Sequence, residues 1–538
     1  VKLQQYFQKP GIVIALIWIF LTAINIGKAF QMDDGFHLEA AQHIAGDPLH
    51  PMSGMIRWDY DEPEPMYKAN QPPLLFYMIA GLSTLFGFNE IVMHLLIAVF
   101  SLLALYWFYK ACGHLNVKRP LLLVALFGLC PAFVVSQNVM TDVPIMSLMI
   151  GAFYYLLQSL TRHENRNTMI AIVLLTIGMF IKYTVLPVLA AVALLFVLRK
   201  EYKKLLWLFI PILLIALWTL WNYWEFGGSH LFERKPGLRS TVQDRAWTYF
   251  SALGCIATFG ALFLSYIFKG KTGNYIVYSI TGLFLVVALL HYGSNGDNES
   301  LLTATLDISF FIHGLMIILV MLMFLYKSHQ KPAAIKTLIQ TPQAILILFT
   351  AALSSFLILF APFMGIRHLL LIIPFLLLLA APIIENTNRD LIRFSLTASI
   401  ILSLLLGISD WKYAFYYKNT AQGIMKGMPP GSTVWATGTG AWQWYAQQNG
   451  MIMHTILTER GKPGDYLVIA RGLPAYRVSP EKKFSLLAKI WGEPSLLSYF
   501  CVSDGASIYS SQFGKPAWKL SKRAIDTVYV CQYIADTP

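Results

Sequence analysis

Charge is what this sequence has least of. Lys, Arg, Asp and Glu together make up 13% of the 538 residues, while 56% are hydrophobic and the mean hydropathy is +0.56. A soluble domain carries roughly a quarter of its residues as charges, so an ordinary soluble enzyme is excluded. Cysteine is scarce too: five residues with no CxxC and no zinc-ligand spacing, which excludes a disulfide scaffold and a zinc module. Internal repeats and low-complexity tracts are absent, so neither a solenoid nor a disordered chain is indicated. The net charge of +13 sits in short clusters between apolar runs. That arrangement suits anionic membrane lipid rather than nucleic acid, which asks for one continuous basic face.

What is there instead is a succession of apolar runs of membrane-spanning length, from residue 11 to about residue 409. At about 20 residues per crossing they give roughly thirteen spans. The first, Gly11 to about Phe30, reads as a retained anchor, because it is long for a signal sequence and Lys28 interrupts its far end. With the N-terminus in the cytoplasm, every inner loop is basic, for example Lys110, Lys118 and Arg119, or Arg199, Lys200, Lys203 and Lys204. The loop with Arg234, Lys235, Arg239 and Arg245 is the outer exception. Residues 74–86 are apolar but too short to cross, and read as an interfacial helix at the outer surface; counting them as a span would turn the basic loops outward.

After about Ser409 the sequence becomes mixed and polar, with β-like runs at Ser432–Ala436, Tyr466–Ala470 and Thr527–Tyr533. The fold class expected is therefore an α-helical polytopic membrane protein, residues 1–409, carrying a small extracytoplasmic α/β domain, residues 410–538. There a bridge between Cys501 and Cys531 and two unpaired thiols are equally admissible.

The chemistry is expected in the first outer loop, residues 31–73. Long polar loops between membrane helices cost ordering entropy that a tight turn avoids, and tend to be functional. It opens with Asp33 and Asp34, two carboxylates at the membrane surface, where one could serve as a general base; both equally suit the N-terminus of a helix. His37, Glu39 and His43 could ligate a metal, although His37 and His43, six apart, fall on different helix faces. Asp142 starts a later span at the same face, and Lys182 interrupts two apolar runs, so each needs a cavity, a partner or the interface. Lys68, Arg239, Arg245 and Arg367 add cations on that side. Phosphate would satisfy them, as would ordinary lipid headgroups.

With these residues in place the chain resembles the membrane glycosyltransferases of the GT-C class, and within it glycosyltransferase family 39. The likeness rests on Asp33-Asp34 after the first span, Gln71-Pro72-Pro73-Leu74, Asp142-Val143-Pro144, the stretch Asp47 to Pro51, Lys182-Tyr183-Thr184 and Ile366 to Pro374. Asp34 stands where the family usually has Glu, and His368 where an aromatic often follows the Arg. The resemblance implies inverting transfer of a sugar from a polyprenyl-phosphate donor to a glycan, lipid or protein acceptor at the outer face of the membrane, a bacterial inner membrane. Asp33 would be the base, with Asp34 and Asp142 beside it. Lys68, Lys182, Arg239, Arg245 and Arg367 would hold the phosphate, and His37, Arg57, Trp58, Gln71, Tyr183 and His368 would contact substrate. No cofactor is required; a divalent metal is left open. Two rival readings are a secondary transporter, disfavoured by the odd span count and the lack of an inverted repeat, and a non-catalytic binder of lipid-linked glycan with the same architecture.

Overall fold

The computed structural model describes the chain except residues 1–8, 59–62, 163, 235–239, 294–298, 330–336, 455–460, 476–477, 479–480, 502–505 and 537–538. Helices dominate up to Gly427 and a mixed sheet follows. Among the described residues seven helices are long and apolar enough to cross a bilayer, or eight if Val242–Ile256 and Gly260–Ile267, bent by 98°, form one broken span. The other expected spans fall on shorter or interrupted helices. Pro10–Asn25 and Tyr183–Leu198 are short. The run from Pro120 breaks after Gly128 and resumes at Pro131, and the run from Ile366 breaks into three pieces, two of which begin around Pro374 and Pro382. Proline lacks the N–H a continuous helix needs but suits a helix's first turn, so each marks a restart.

The first helix, α1 (Pro10–Asn25), leads into the loop 31–73, which is itself structured. It contains α2 (Asp34–Gly46) and ends at α3 (Leu74–Phe86), a short apolar helix with the bounds expected from the sequence. Next come α4 (Glu90–His114) and α5 (Asp142–Arg162). The span that starts at Asp142 is 83% buried, against 17% for the one that ends at Phe226, α6 (Phe209–Phe226). So α5 is the central helix of the bundle, and α6 lies at its lipid-facing edge. Behind them are α7 (Val242–Ile256), α8 (Gln343–Phe360) and α9 (Ile366–Leu370).

The helix α10 (Arg389–Gly427) has 39 residues, about 58 Å at 1.5 Å per residue, nearly twice the hydrocarbon thickness. It therefore runs straight through the boundary expected at 409/410. The change in composition there marks where the helix leaves the apolar layer, not where it ends. Beyond it, β1 (Val434–Thr437), α11 (Ala441–Gln448) and β2 (Ile452–Met453) form a parallel β-α-β unit, joined by β3 (Tyr466–Ala470), β4 (Lys482–Trp491) and β5 (Thr527–Asp536) in the order β2-β1-β3-β5-β4. The three β-like runs of the sequence become β1, β3 and β5. Cys531, in β5, is a free buried thiol, while the side chain of Cys501, its candidate partner, lies outside the described residues.

This sheet region is packed onto the bundle rather than tethered to it. A Cβ on Gly35, in α2, would stand 2.6 Å from the Gly440 carbonyl oxygen just before α11; only two glycines allow that approach. At the centre of the junction lies a buried ion pair, Lys28 Nζ to Asp410 Oδ2 at 2.7 Å, with both side chains 1% exposed. Gln31 Nε2 donates to the same Asp410 oxygen at 2.7 Å, while Tyr499 and Tyr509 donate to the other at 2.7 and 2.8 Å. Lys28 also donates to Asn25 and Asn138. Every strong acceptor and donor of the pair is thus used, the condition under which a buried ion pair is tolerated.

Candidate active site

Asp33 reaches its position through an unusual turn. Met32, just before it, has φ of 48°, a left-handed conformation rare for a side-chain-bearing residue. The chain reverses there from the end of α1 into α2, and Asp33 becomes the N-cap residue, half-buried and turned to the cavity beside the helix. Asp34 points the other way. It is fully buried and its Oδ2 accepts from the Gln31 N–H at 2.9 Å, closing the turn. Burial raises its pKa to about 7. The adjacent pair thus divides, one carboxylate facing a cavity and the other holding the loop.

Arg367, at the start of α9, gathers the rest. Its Nη2 lies 2.7 Å from Asp33 Oδ2 and its Nε 3.8 Å from Asp142 Oδ2, while Lys182 Nζ lies 2.7 Å from Asp142 Oδ1. The Arg367 Nε–H makes no hydrogen bond among the described residues. Four residues from four separate stretches of sequence therefore form one alternating row of charge. It lies at one end of a cavity of about 640 Å³ whose walls include Lys68, Trp58, Tyr413 and Tyr509.

Other expected site residues are placed differently. Arg245 is spent on backbone: its guanidinium donates to the carbonyls of Ser240, Ile358 and Leu359 at 2.6, 2.8 and 3.0 Å. It closes the C-terminal end of α8, with three of its five N–H donors committed to backbone. Arg239 lies outside the described residues. His37 is buried between the rings of Trp58 and Phe76, its Nδ1 bonded to the Val139 carbonyl at 2.7 Å; burial lowers its pKa and keeps it neutral. His368 accepts from the Gly365 N–H and so caps α9. Arg57 reaches towards the His454 carbonyl at the sheet junction, and Gln71 donates its N–H to Asn70 Oδ1. None of these lines the cavity, although Trp58 does.

Tyr183 is also engaged. Its hydroxyl accepts from the Trp218 indole N–H at 3.1 Å and donates to His230 Nδ1 at 2.7 Å, and His230 Nε2 bonds the Asn70 carbonyl at 3.1 Å. His230 is the neutral tautomer this chain of donors demands, and burial lowers its pKa to about 4. Beside it is Arg234, whose pKa burial lowers to about 10, still a cation at neutral pH. Sequence reasoning noted Arg234 only as one charge of a basic loop; the missed signal was its place four residues after His230. Trp218 also borders an apolar groove of about 400 Å³ with Leu49, Tyr77, Phe180 and Leu217.

Among the described residues no three His, Cys, Asp or Glu side chains stand close enough to share a metal ion. Asp33 and Asp142, the carboxylates that meet, are joined through Arg367 and Lys182. The divalent metal left open by the sequence finds no such donor set among the described residues.

Residues 70–224 match the family model of dolichyl-phosphate-mannose-protein mannosyltransferases. Among solved structures, the oligosaccharyltransferase AglB of Archaeoglobus fulgidus, in complex with an inhibitory peptide and a dolichol-phosphate, superposes with a TM-score of 0.50 at 12% identity, over 87% of this chain and 70% of that one. ArnT of Cupriavidus metallidurans in its apo state gives 0.42 at 10% identity over 88% and 94%. The chain has the GT-C fold. The matched segment, residues 70–224, is similar to the mannosyltransferase family model and falls within this fold. No curated protein sequence matches the chain.

Proposed function

We propose that this protein is a membrane glycosyltransferase that moves a sugar from a polyprenyl-phosphate donor to an acceptor hydroxyl at the outer face of a bacterial inner membrane, with inversion. The observation that carries the reading is the placement of Arg367, buried between Asp33 and Asp142 with its Nε–H unclaimed, at the edge of the cavity. A phosphate oxygen would take that donor and share Lys182, while Asp142 keeps both cations in place. Arg234 and Lys68 supply further positive charge on either side. The apolar groove beside Trp218 is suited to the first isoprene units, since polyprenyl chains and its lining are both apolar.

In the reaction Asp33 takes the proton of the acceptor hydroxyl as its oxygen bonds to the anomeric carbon. The bond from that carbon to the phosphate oxygen breaks on the opposite face, its electron pair going to the phosphate. The cations stabilise that charge, and direct displacement inverts the centre. The orientation that supports this places the N-terminus in the cytoplasm and the sheet region outside.

The test is release of polyprenyl phosphate by the purified protein from polyprenyl-phosphate sugars in the presence of candidate acceptors. Asp33→Asn should lose release while keeping the elution profile of the folded protein. Unchanged turnover in Asp33→Asn would remove the base assignment.

A further inference from the structure

The two ends of the cavity differ in origin. Asp33 and Arg367 come from the membrane region, whereas much of the opposite wall is Thr439 to Trp442 and Tyr509 to Phe513 from the sheet region. Two buried indole N–H groups on the lining residues Trp58 and Trp442 have no hydrogen-bond partner among the described residues, and Trp442 is wholly buried. Buried indole donors ordinarily find an acceptor, so these two await one. The first turn of α11, which reaches the same wall, has no side-chain cap, leaving it able to donate as well.

Resting on the glycosyl-transfer reading above, we propose that the acceptor is an uncharged saccharide, seated against the sheet-region wall with Trp58 and Trp442 donating to its oxygens. Charge and shape support this choice. Among the described residues the lining holds three carboxylates, Asp33, Glu64 and Glu233, against two cations, Lys68 and Arg367. A multiply phosphorylated acceptor would meet excess negative charge. Sugar hydroxyls both donate and accept, so they satisfy Glu64, Glu233 and the two indoles together. Their C–H faces suit the remaining apolar lining of Phe363 and Phe513. A peptide would gain most from an open strand edge, but β1, the strand that runs into the cavity, is hydrogen-bonded on both sides, by β2 and β3. The volume of about 640 Å³ lies within the range of ligand clefts, about 300 to 1,000 Å³. The contact of Gly35 with Gly440 holds this wall against the helix that Asp33 caps, so a sugar bound there has its hydroxyl registered to the base.

The experiment titrates the purified full chain in detergent with uncharged methyl glycosides and disaccharides, a Ser/Thr-containing peptide and a sugar phosphate, followed by saturation-transfer NMR. Polyprenyl-phosphate binding is followed in parallel by native mass spectrometry. The expected result is saturable binding of at least one uncharged saccharide, with peptide and sugar phosphate at least tenfold weaker. Trp58→Phe and Trp442→Phe keep a ring and remove the N–H. Each should weaken saccharide binding about five- to tenfold and leave polyprenyl-phosphate binding unchanged. Should Trp442→Phe lose the folded elution profile, the half-buried Trp58 decides by its own variant. Tighter binding of peptide or sugar phosphate, or wild-type saccharide affinity in Trp58→Phe, overturns the proposal. Failure of the wild-type protein to bind polyprenyl phosphate would instead strike the donor reading and leave the saccharide result standing.

Discussion

Arg367 touches both carboxylates of the site, Asp33 at 2.7 Å and Asp142 at 3.8 Å, and Asp142 is in turn bound by Lys182. A planar guanidinium can serve two carboxylates and a phosphate at once, which a lysine ammonium on a flexible stem does with less geometric control. Arg367→Lys should lower transfer at least 100-fold, measured as polyprenyl phosphate released. Asp33→Asn, which removes the base, should cost about 10² to 10⁴-fold and leave donor binding near wild type. A lysine variant as active as the parent would show that bridging is not needed.

Arg234 and Arg245 belong to one basic stretch of sequence but to different jobs. Arg245 closes α8 through three carbonyls, so Arg245→Ala should lower the thermal midpoint without changing the affinity for polyprenyl phosphate. Arg234→Gln should do the reverse, weakening that affinity about tenfold. Equal effects of both variants on lipid binding would erase the distinction.

The Lys28–Asp410 pair ties α1 and α10 to the sheet region. Lys28→Met leaves a buried carboxylate without its cation and should destabilise the protein by about 3 to 5 kcal/mol. Adding Asp410→Asn removes the orphaned charge while its one remaining oxygen still accepts from the two tyrosines, at the cost of the Gln31 hydrogen bond. The double variant should therefore recover part of the loss in thermal unfolding; a double variant weaker than the sum of both singles would contradict it.

Stability should also depend on pH through α2. The Asp34 carboxyl titrates near 3.8 when unfolded and about 7 when folded, and Glu39 shifts in the same sense, from 4.5 to about 7, through burial. Between these values the native state binds protons that the unfolded chain has released, so stability falls as pH rises through the window and the loss is complete above it. For Asp34 that is on the order of 4 kcal/mol. Asp34→Asn should flatten the dependence, gaining thermal midpoint at pH 8 relative to pH 5. An unchanged slope would mean that Asp34 is ionised in the fold.

Orientation has its own check. A phosphatase or fluorescent reporter fused after Pro538 should report an extracytoplasmic location, and cytoplasmic activity there would invert the topology on which the site depends.

Much of the architecture was legible from composition. The helix 74–86 could be read from its compact run of thirteen apolar residues, and β1, β3 and β5 because short β-branched and aromatic runs stood between turns. Helix breaks at Pro131, Pro374 and Pro382 were blurred, since hydropathy averages over a restart. The end of α10 was missed for a related reason: a helix leaving the bilayer changes its side chains and not its backbone. Lys28 was read as a flaw at the end of a span, because its partner lies 382 residues away.

By itself the sequence determined which stretches are apolar enough to meet a bilayer and which residues could carry charge between them. Apolar length and Lys/Arg bias are local quantities, set by transfer from water to lipid. Only the tertiary structure decided which of those charges act together. It turned Asp33 into the cavity and Asp34 away from it, gave Arg245 to backbone and Arg367 to two carboxylates, and brought the sheet region in as a wall. Such choices depend on distances between residues far apart in the chain, and side-chain electrostatics weakens too quickly with distance for sequence order to reveal them.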